Sequence, residues 1–154
     1  MNRTRLIRFA QSRTSNGVTV RAAGLMVRPT DAILILAAKV AGGQPYPLDL
    51  ASLGEICDDR NHLYESGPWG TRYVEPTSWF FIQMPRPAVD ARRLQLQLDE
   101  LSCVPTIVRP SEVELVSLVE YTPDLFHLPS VRHISGPWSF DLPLRRQRLR
   151  TIRD

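Results

Sequence analysis

Apolar residues in this chain recur mostly at every second position, in short runs cut off by proline, glycine or a polar cluster. That punctuation comes from 13 prolines and 8 glycines in 154 residues. It leaves little room for long helices and favours strands joined by turns. Residues 17–27 alternate at Val18, Val20 and Ala22 before a turn at Arg28, Pro29, Thr30 and Asp31. Residues 32–40 are a continuous apolar run of strand length, the pattern of a central strand covered on both faces. Residues 48–57 place Leu48, Leu50, Ser52, Gly54 and Ile56 on one parity. The polar turn Asp58, Asp59, Arg60, Asn61 then folds residues 62–65 back as a hairpin partner.

The stretch 69–75 reads as irregular or extended. Residues 78–84, with Trp79, Phe80, Phe81 and Ile82, form a core strand ended by Pro85 and Pro87, after which residues 88–93 have room for one helical turn. Leu94, Leu96 and Leu98 alternate with Gln95, Gln97 and Asp99, a half-buried strand. Two more strands are expected over 113–121 and 138–144, with proline-containing loops over 104–111 and 122–133. Seven to eight strands with at most one short helix predict an all-β antiparallel sandwich or barrel. The chain is the length of one average domain and large enough to bury a core without metal or disulfides.

Charge is distributed unevenly along this frame. Of 19 basic residues only Lys39 is a lysine. Arg3, Arg5, Arg8 and Arg13 crowd the first thirteen residues, and Arg145, Arg146, Arg148, Arg150 and Arg153 the last ten. Each end carries +4, so the net +3 leaves −5 for residues 14–144. The expected organisation is therefore a basic N-terminal arm (1–16), a sandwich domain (17–144) and a basic C-terminal arm (145–154). Guanidiniums in such arms suit phosphates or carboxylates of a partner, and an acidic body on a neighbouring copy would match them.

Few patterns point to chemistry. Nucleophile elbows, phosphate-binding glycine loops and zinc spacings are absent from the sequence. His62 near Asp58 and Asp59, and His127 with His133 near Asp124, offer donor types without a metal-site spacing. Asp58, Asp59 and Asn61 are oxygen donors in one tight turn, too few for calcium, so a solvated hairpin turn is expected. Asp99 and Glu100 are adjacent in an expected strand, so alternation would send them to opposite faces. Glu112 and Glu114 share a face but suit a strand edge. The reading is of a protein that is not an enzyme and holds no metal or cofactor. Trp69 and Trp138, each preceded by Ser-Gly-Pro in the one repeated tetrapeptide, are candidate aromatic contacts, alongside the plainer reading of a turn that feeds a tryptophan into a sheet. Cys57 and Cys103 are expected as reduced thiols. With no apolar run near the ~20 residues of a membrane helix and no signal pattern, the sequence carries no transmembrane segment.

Trp79, Phe80, Phe81, Met84, Pro85, Arg86, Pro87 and Ala88, leading into Ala91 and the Leu94, Leu96, Leu98 strand, resemble the central part of small immunoglobulin-like β-sandwich domains of bacterial cell-envelope and anti-sigma-associated proteins. Ile56 to Asp59 with Tyr64 is similar to their hairpin, and Gly136 to Leu144 to their closing strand. The likeness covers roughly residues 17–144 and departs in the arginine-rich ends and in lacking the membrane helix or signal that usually precedes such domains. It implies an immunoglobulin-like sandwich with no catalytic residues. The expected function is a structural or interaction module that assembles with itself, with a protein partner or with a larger complex through its arginine arms. The alternative is a nucleic-acid accessory protein gripping phosphates with the same arms. Read as a complete chain the protein is expected in the cytoplasm, and as an excised domain, in the cell envelope.

Overall fold

The computed structural model describes residues 3–42, 47–103 and 132–144. They form nine strands: β1 (Arg5–Ser15), β2 (Val18–Val27), β3 (Ala32–Val40), β4 (Leu48–Asp58), β5 (Leu63–Tyr64), β6 (Trp69–Val74), β7 (Thr77–Met84), β8 (Arg93–Cys103) and β9 (Arg132–Pro143). All pairings are antiparallel, in a five-stranded sheet of order β1-β2-β3-β7-β6 and a four-stranded sheet of order β5-β4-β8-β9. The orders β2-β3-β7-β6 and β9-β8-β4-β5 are those of an immunoglobulin-type sandwich, to which β1 is added on the outside of the larger sheet. The expected fold class is therefore found, with nine strands among the described residues rather than seven or eight. No helix occurs among them, so none is long and apolar enough to cross a membrane. Residues 88–91 make a β-turn closed by Ala91 N–H to the Ala88 carbonyl at 3.0 Å, not a helical turn.

Two further expectations change. The stretch set apart as an N-terminal arm is mostly strand: β1 pairs with β2 along most of its length. Asn16 (φ 48°) and Gly17 (φ 78°) supply the two left-handed positions of a two-residue hairpin, which returns the chain in register. Ile7 and Phe9 then join the core and Arg8 takes the opposite face, while Arg5 and Arg13 sit on the core-facing side towards the two ends of the strand, across from Val27 and Val20. The stretch read as irregular or extended is extended: its six residues form β6 and pair with β7. The strand expected over 113–121, the loop over 104–111, most of the loop over 122–133 and the C-terminal arm lie outside the described residues. The last two positions of that second loop, 132 and 133, already belong to β9, which begins six residues ahead of the strand expected over 138–144.

The core fills the space between the sheets with Leu25, Leu34, Leu36, Phe80 and Ile82 from one side and Ile56, Leu94, Leu98, Leu101 and Trp138 from the other. Each such side chain contributes on the order of 1.5–3 kcal/mol by leaving water. Trp138 also ties the layers together, its Nε1–H donating to the Val18 carbonyl at 2.9 Å. Cys57 lies opposite Gln95 near one end of β8 and Cys103 ends that strand, and no disulfide joins them.

Candidate interaction surfaces

Strands β3 and β7 are apolar on both of their faces. Inward go Leu34, Leu36, Phe80 and Ile82, and outward go Ile33, Ile35, Ala37, Trp79 and Phe81. The register lines the outward residues into rows across the five-stranded sheet. One row runs Leu6, Met26, Ile33, Gln83; the next Arg8, Gly24, Ile35, Phe81, Gly70; the third Arg21, Ala37, Trp79, Arg72. Leu6 is 50% and Phe81 38% exposed, so the apolar rows reach solvent. Ala37 is only 5% exposed because its small side chain leaves a notch that its neighbours cover. The Arg21 guanidinium lies over the Trp79 ring, 5.7 Å from its centroid, across that notch. Arg8, Arg21, Lys39 and Arg72 border the apolar rows, and among the described residues none of them is in an ion pair. A sheet face facing water normally alternates to polar residues. This one keeps an apolar centre with a cationic margin.

The outer face of the four-stranded sheet has the opposite character. Gln95, Gln97 and Asp99 of β8, Glu55 and Cys57 of β4, and Ser139 and Asp141 of β9 line an open cleft of about 650 Å³. Its polar side chains bond one another: Gln97 Nε2 donates to Asp99 at 2.6 Å and Ser139 Oγ to Gln97 at 3.3 Å. Asp141 is paired with Arg93 at 2.7 Å, whereas Glu55 and Asp99 meet no cation among the described residues.

The residues singled out from the sequence are scattered by the fold. Arg8 belongs to the cationic margin just described. Arg13 stacks on Phe140, 5.8 Å from the ring centroid, at the side of the cleft. Arg5 lies beside Ile7, Val27 and Arg86 in a separate hollow, and Arg3 is exposed ahead of β1. Arg145, Arg146, Arg148, Arg150 and Arg153 lie outside the described residues. Trp138 is fully buried and offers no contact surface, while Trp69 opens β6 at 47% exposure. The two Ser-Gly-Pro-Trp copies are not equivalent, since the second lies wholly inside β9.

The Asp58 turn is also not the solvated feature expected. Asp58 is 1% exposed and accepts hydrogen bonds from Arg60 N–H (2.8 Å), His62 N–H (3.0 Å) and Tyr64 Oη (2.6 Å), with His62 Nδ1 at 3.0 Å. Burial works against its ionisation. The bonds from Tyr64, His62 and Arg60 more than offset that and hold its carboxyl well below the usual carboxylate range. Tyr64 Oη in turn accepts from Ala88 N–H at 2.9 Å. Burial first, then the Asp58 carboxylate, push the Tyr64 phenol up to about 12, against the opposing Ala88 bond. Asp59 Oδ1 accepts from Arg92 N–H at 2.9 Å and Arg93 N–H at 3.3 Å. The hairpin thus clamps the connection between β7 and β8, which is structural work. Among the described residues no three His, Cys, Asp or Glu side chains converge as metal ligands.

Fold and surfaces together define a β-sandwich with two chemically different outer faces. No protein-family model and no curated protein matches the chain. Among solved structures, the crystal structure of the conserved domain protein from Bacillus anthracis is similar over 94% of this chain, with a TM-score of 0.61 and 10% sequence identity. This chain spans 50% of that one. At that identity the likeness is one of fold.

Proposed function

We propose that the protein is a non-catalytic β-sandwich module that joins an assembly, with itself or with a larger complex, through the outer face of its five-stranded sheet. The observation that supports this is the apolar centre of half-buried Ile33 and Ile35 and exposed Phe81, with a margin of Arg8, Arg21, Lys39 and Arg72 that is in no ion pair among the described residues. Such a face gains by leaving water, and its cations set which surfaces it accepts. Of the N-terminal arginines, Arg8 takes part as a strand residue rather than as part of a free arm. The domain resemblance noted for residues 17–144 agrees with this role. A photo-reactive residue at position 35 in the protein's native cells is expected to give a discrete cross-linked species, and one at Val89, a fully exposed residue of the β7–β8 connection outside this face, none. No adduct at position 35 would sink the reading.

A second reading is kept because aromatic and cationic side chains interleave on that face: Arg21 and Arg72 flank Trp79. Single-stranded nucleic acid binds such surfaces by stacking and phosphate contacts. Quenching of tryptophan emission by an oligonucleotide, lost steeply with added salt, is the result this reading requires.

A further inference from the structure

We infer that copies of this chain stack head to tail, the outer face of the five-stranded sheet of one copy seated on the outer face of the four-stranded sheet of the next. This rests on the assembly reading above and names its partner. The outward positions of β1, β2, β3, β6 and β7 carry Arg8, Arg21, Lys39 and Arg72 and no Asp or Glu. The opposite face carries Glu55, Asp99, Glu100 and Asp141 against Arg93 and Arg13, with His133 beside Glu100, around an open cleft of about 650 Å³. An irregularity in register between Leu98 and Glu100 brings Asp99 and Glu100 to this one face, where simple alternation had them opposed. Two cationic faces repel, and so do two acidic ones, so the isologous pairing by which most dimers form is disfavoured on both sides. The complementary contact is cationic face on acidic face. In it the row Ile35 and Phe81 projects toward the cleft, with Gly24 and Gly70 on either side adding no side chain. Arg8 and Arg72 then lie at the margins, towards Glu55 and Asp99 of the next copy, which meet no cation among the described residues.

The four-stranded face sets the area: three long strands about 4.8 Å apart and about 35 Å long, with β5 adding only two residues, project roughly 500 Å², below the ~800 Å² per partner of a standard interface and in the range of a weak, concentration-dependent contact. A heterologous contact leaves one free face at each end, so growth continues beyond a dimer unless the rotation closes a ring.

The test is sedimentation velocity on the purified full chain over a concentration series at low and high salt. The expected result is an average mass that passes that of a dimer as concentration rises and falls as salt is added. Arg8→Ser with Arg72→Ser removes two of the four cations of one face, and Glu55→Gln with Asp99→Asn the two carboxylates of the other that meet no cation among the described residues. Each pair is expected to weaken self-association about tenfold, because every contact in either sample lacks one side. Mixing the two variants restores one intact contact and is expected to give a one-to-one pair that grows no further, a result that also shows both to be folded. A wild-type chain that stays monomeric overturns the inference. So does a dimer indifferent to the Glu55 and Asp99 substitutions. Cross-links from position 35 to a different protein, with the purified chain monomeric, overturn the stacking and leave the assembly reading standing.

Discussion

The side chain of Gln11 bonds both main-chain groups of Asp141: its Nε2 donates to the Asp141 carbonyl at 2.6 Å, and the Asp141 N–H donates to its Oε1 at 3.4 Å. A side-chain amide thus stands in for a strand neighbour and joins the edge of one sheet to the edge of the other. Asn16 Nδ2 and Ser15 Oγ add bonds to the Ser135 carbonyl farther along the same seam. Without them β9 would present an open edge. Gln11→Leu is expected to cost about 1–2 kcal/mol of stability in urea denaturation and to speed hydrogen exchange at Asp141. Unchanged exchange there would mean the seam is not held by this amide.

Asp58 is the most heavily bonded side chain in the molecule's described part. Asp58→Ala leaves Tyr64 Oη and two main-chain N–H groups without their acceptor inside the hairpin, at an expected cost of about 3 kcal/mol. Asp58→Asn keeps one oxygen and is expected to cost less. Tyr64→Phe removes the bond to Asp58 and the one from Ala88 N–H, and is expected to cost about 1–2 kcal/mol. Equal losses for Asp58→Ala and Asp58→Asn would show that bond count is not what matters.

The same carboxylate sets an acid limit. Its folded-state pKa lies below its unfolded value, so below about pH 4 the unfolded chain binds the proton first and stability falls as pH drops. Asp31 is shifted the same way by Arg28 and Gln83, and Asp59 chiefly by the Arg92 N–H, so they act with the same sign. At the alkaline end Tyr64 acts in reverse: its neutral form is favoured on folding, and stability is lost as pH rises from about 10 through about 12. Stability measured by denaturation from pH 7 to pH 2 is expected to fall less steeply for Asp58→Asn than for wild type. Parallel curves would refute the assignment.

Gly136 is expected to tolerate no side chain. A Cβ there would sit 2.7 Å from the Leu98 carbonyl oxygen and 2.9 Å from the Trp138 main-chain nitrogen, neither of which can swing away. Gly136→Ala is expected to lower stability by about 2 kcal/mol or more. Gly70→Ala, with open space around its Cβ, should cost at most about 1 kcal/mol. Thermal melts of the two variants make the comparison.

Much of the sandwich was legible because its strands bury one face. Leu94, Leu96 and Leu98 announce β8, and Trp79 to Ile82 announce β7. The edges were harder for a physical reason. β6 is exposed along almost its whole length, so its residues carry no alternation to read. In β1 the arginines masked the alternation of Ile7 and Phe9, and the Asn16-Gly17 pair, a local hairpin signal, was there to be read. The apolar run of β3 was recognised, but whether a second layer covers it depends on residues distant in sequence. Asp58 looked like a turn residue because its burial is imposed by Tyr64 and by the segment around Ala88. The charged faces were invisible to a net-charge count, since each strand sends its successive residues to opposite sides.

The seam between β1 and β9 also dictates when this molecule can be finished. Gln11 and Asp141 are 130 positions apart, and Trp138 reaches Val18 across 120. During synthesis β1, β2 and β3 emerge early and can pair, yet the partner of their seam is not available until the ribosome has passed residue 141. Until then Ile7, Phe9 and Val18 lie against a half-built interior. Closure over so long a loop places refolding in the millisecond-to-second range typical of sandwiches, and makes the last strand the step on which the first one waits.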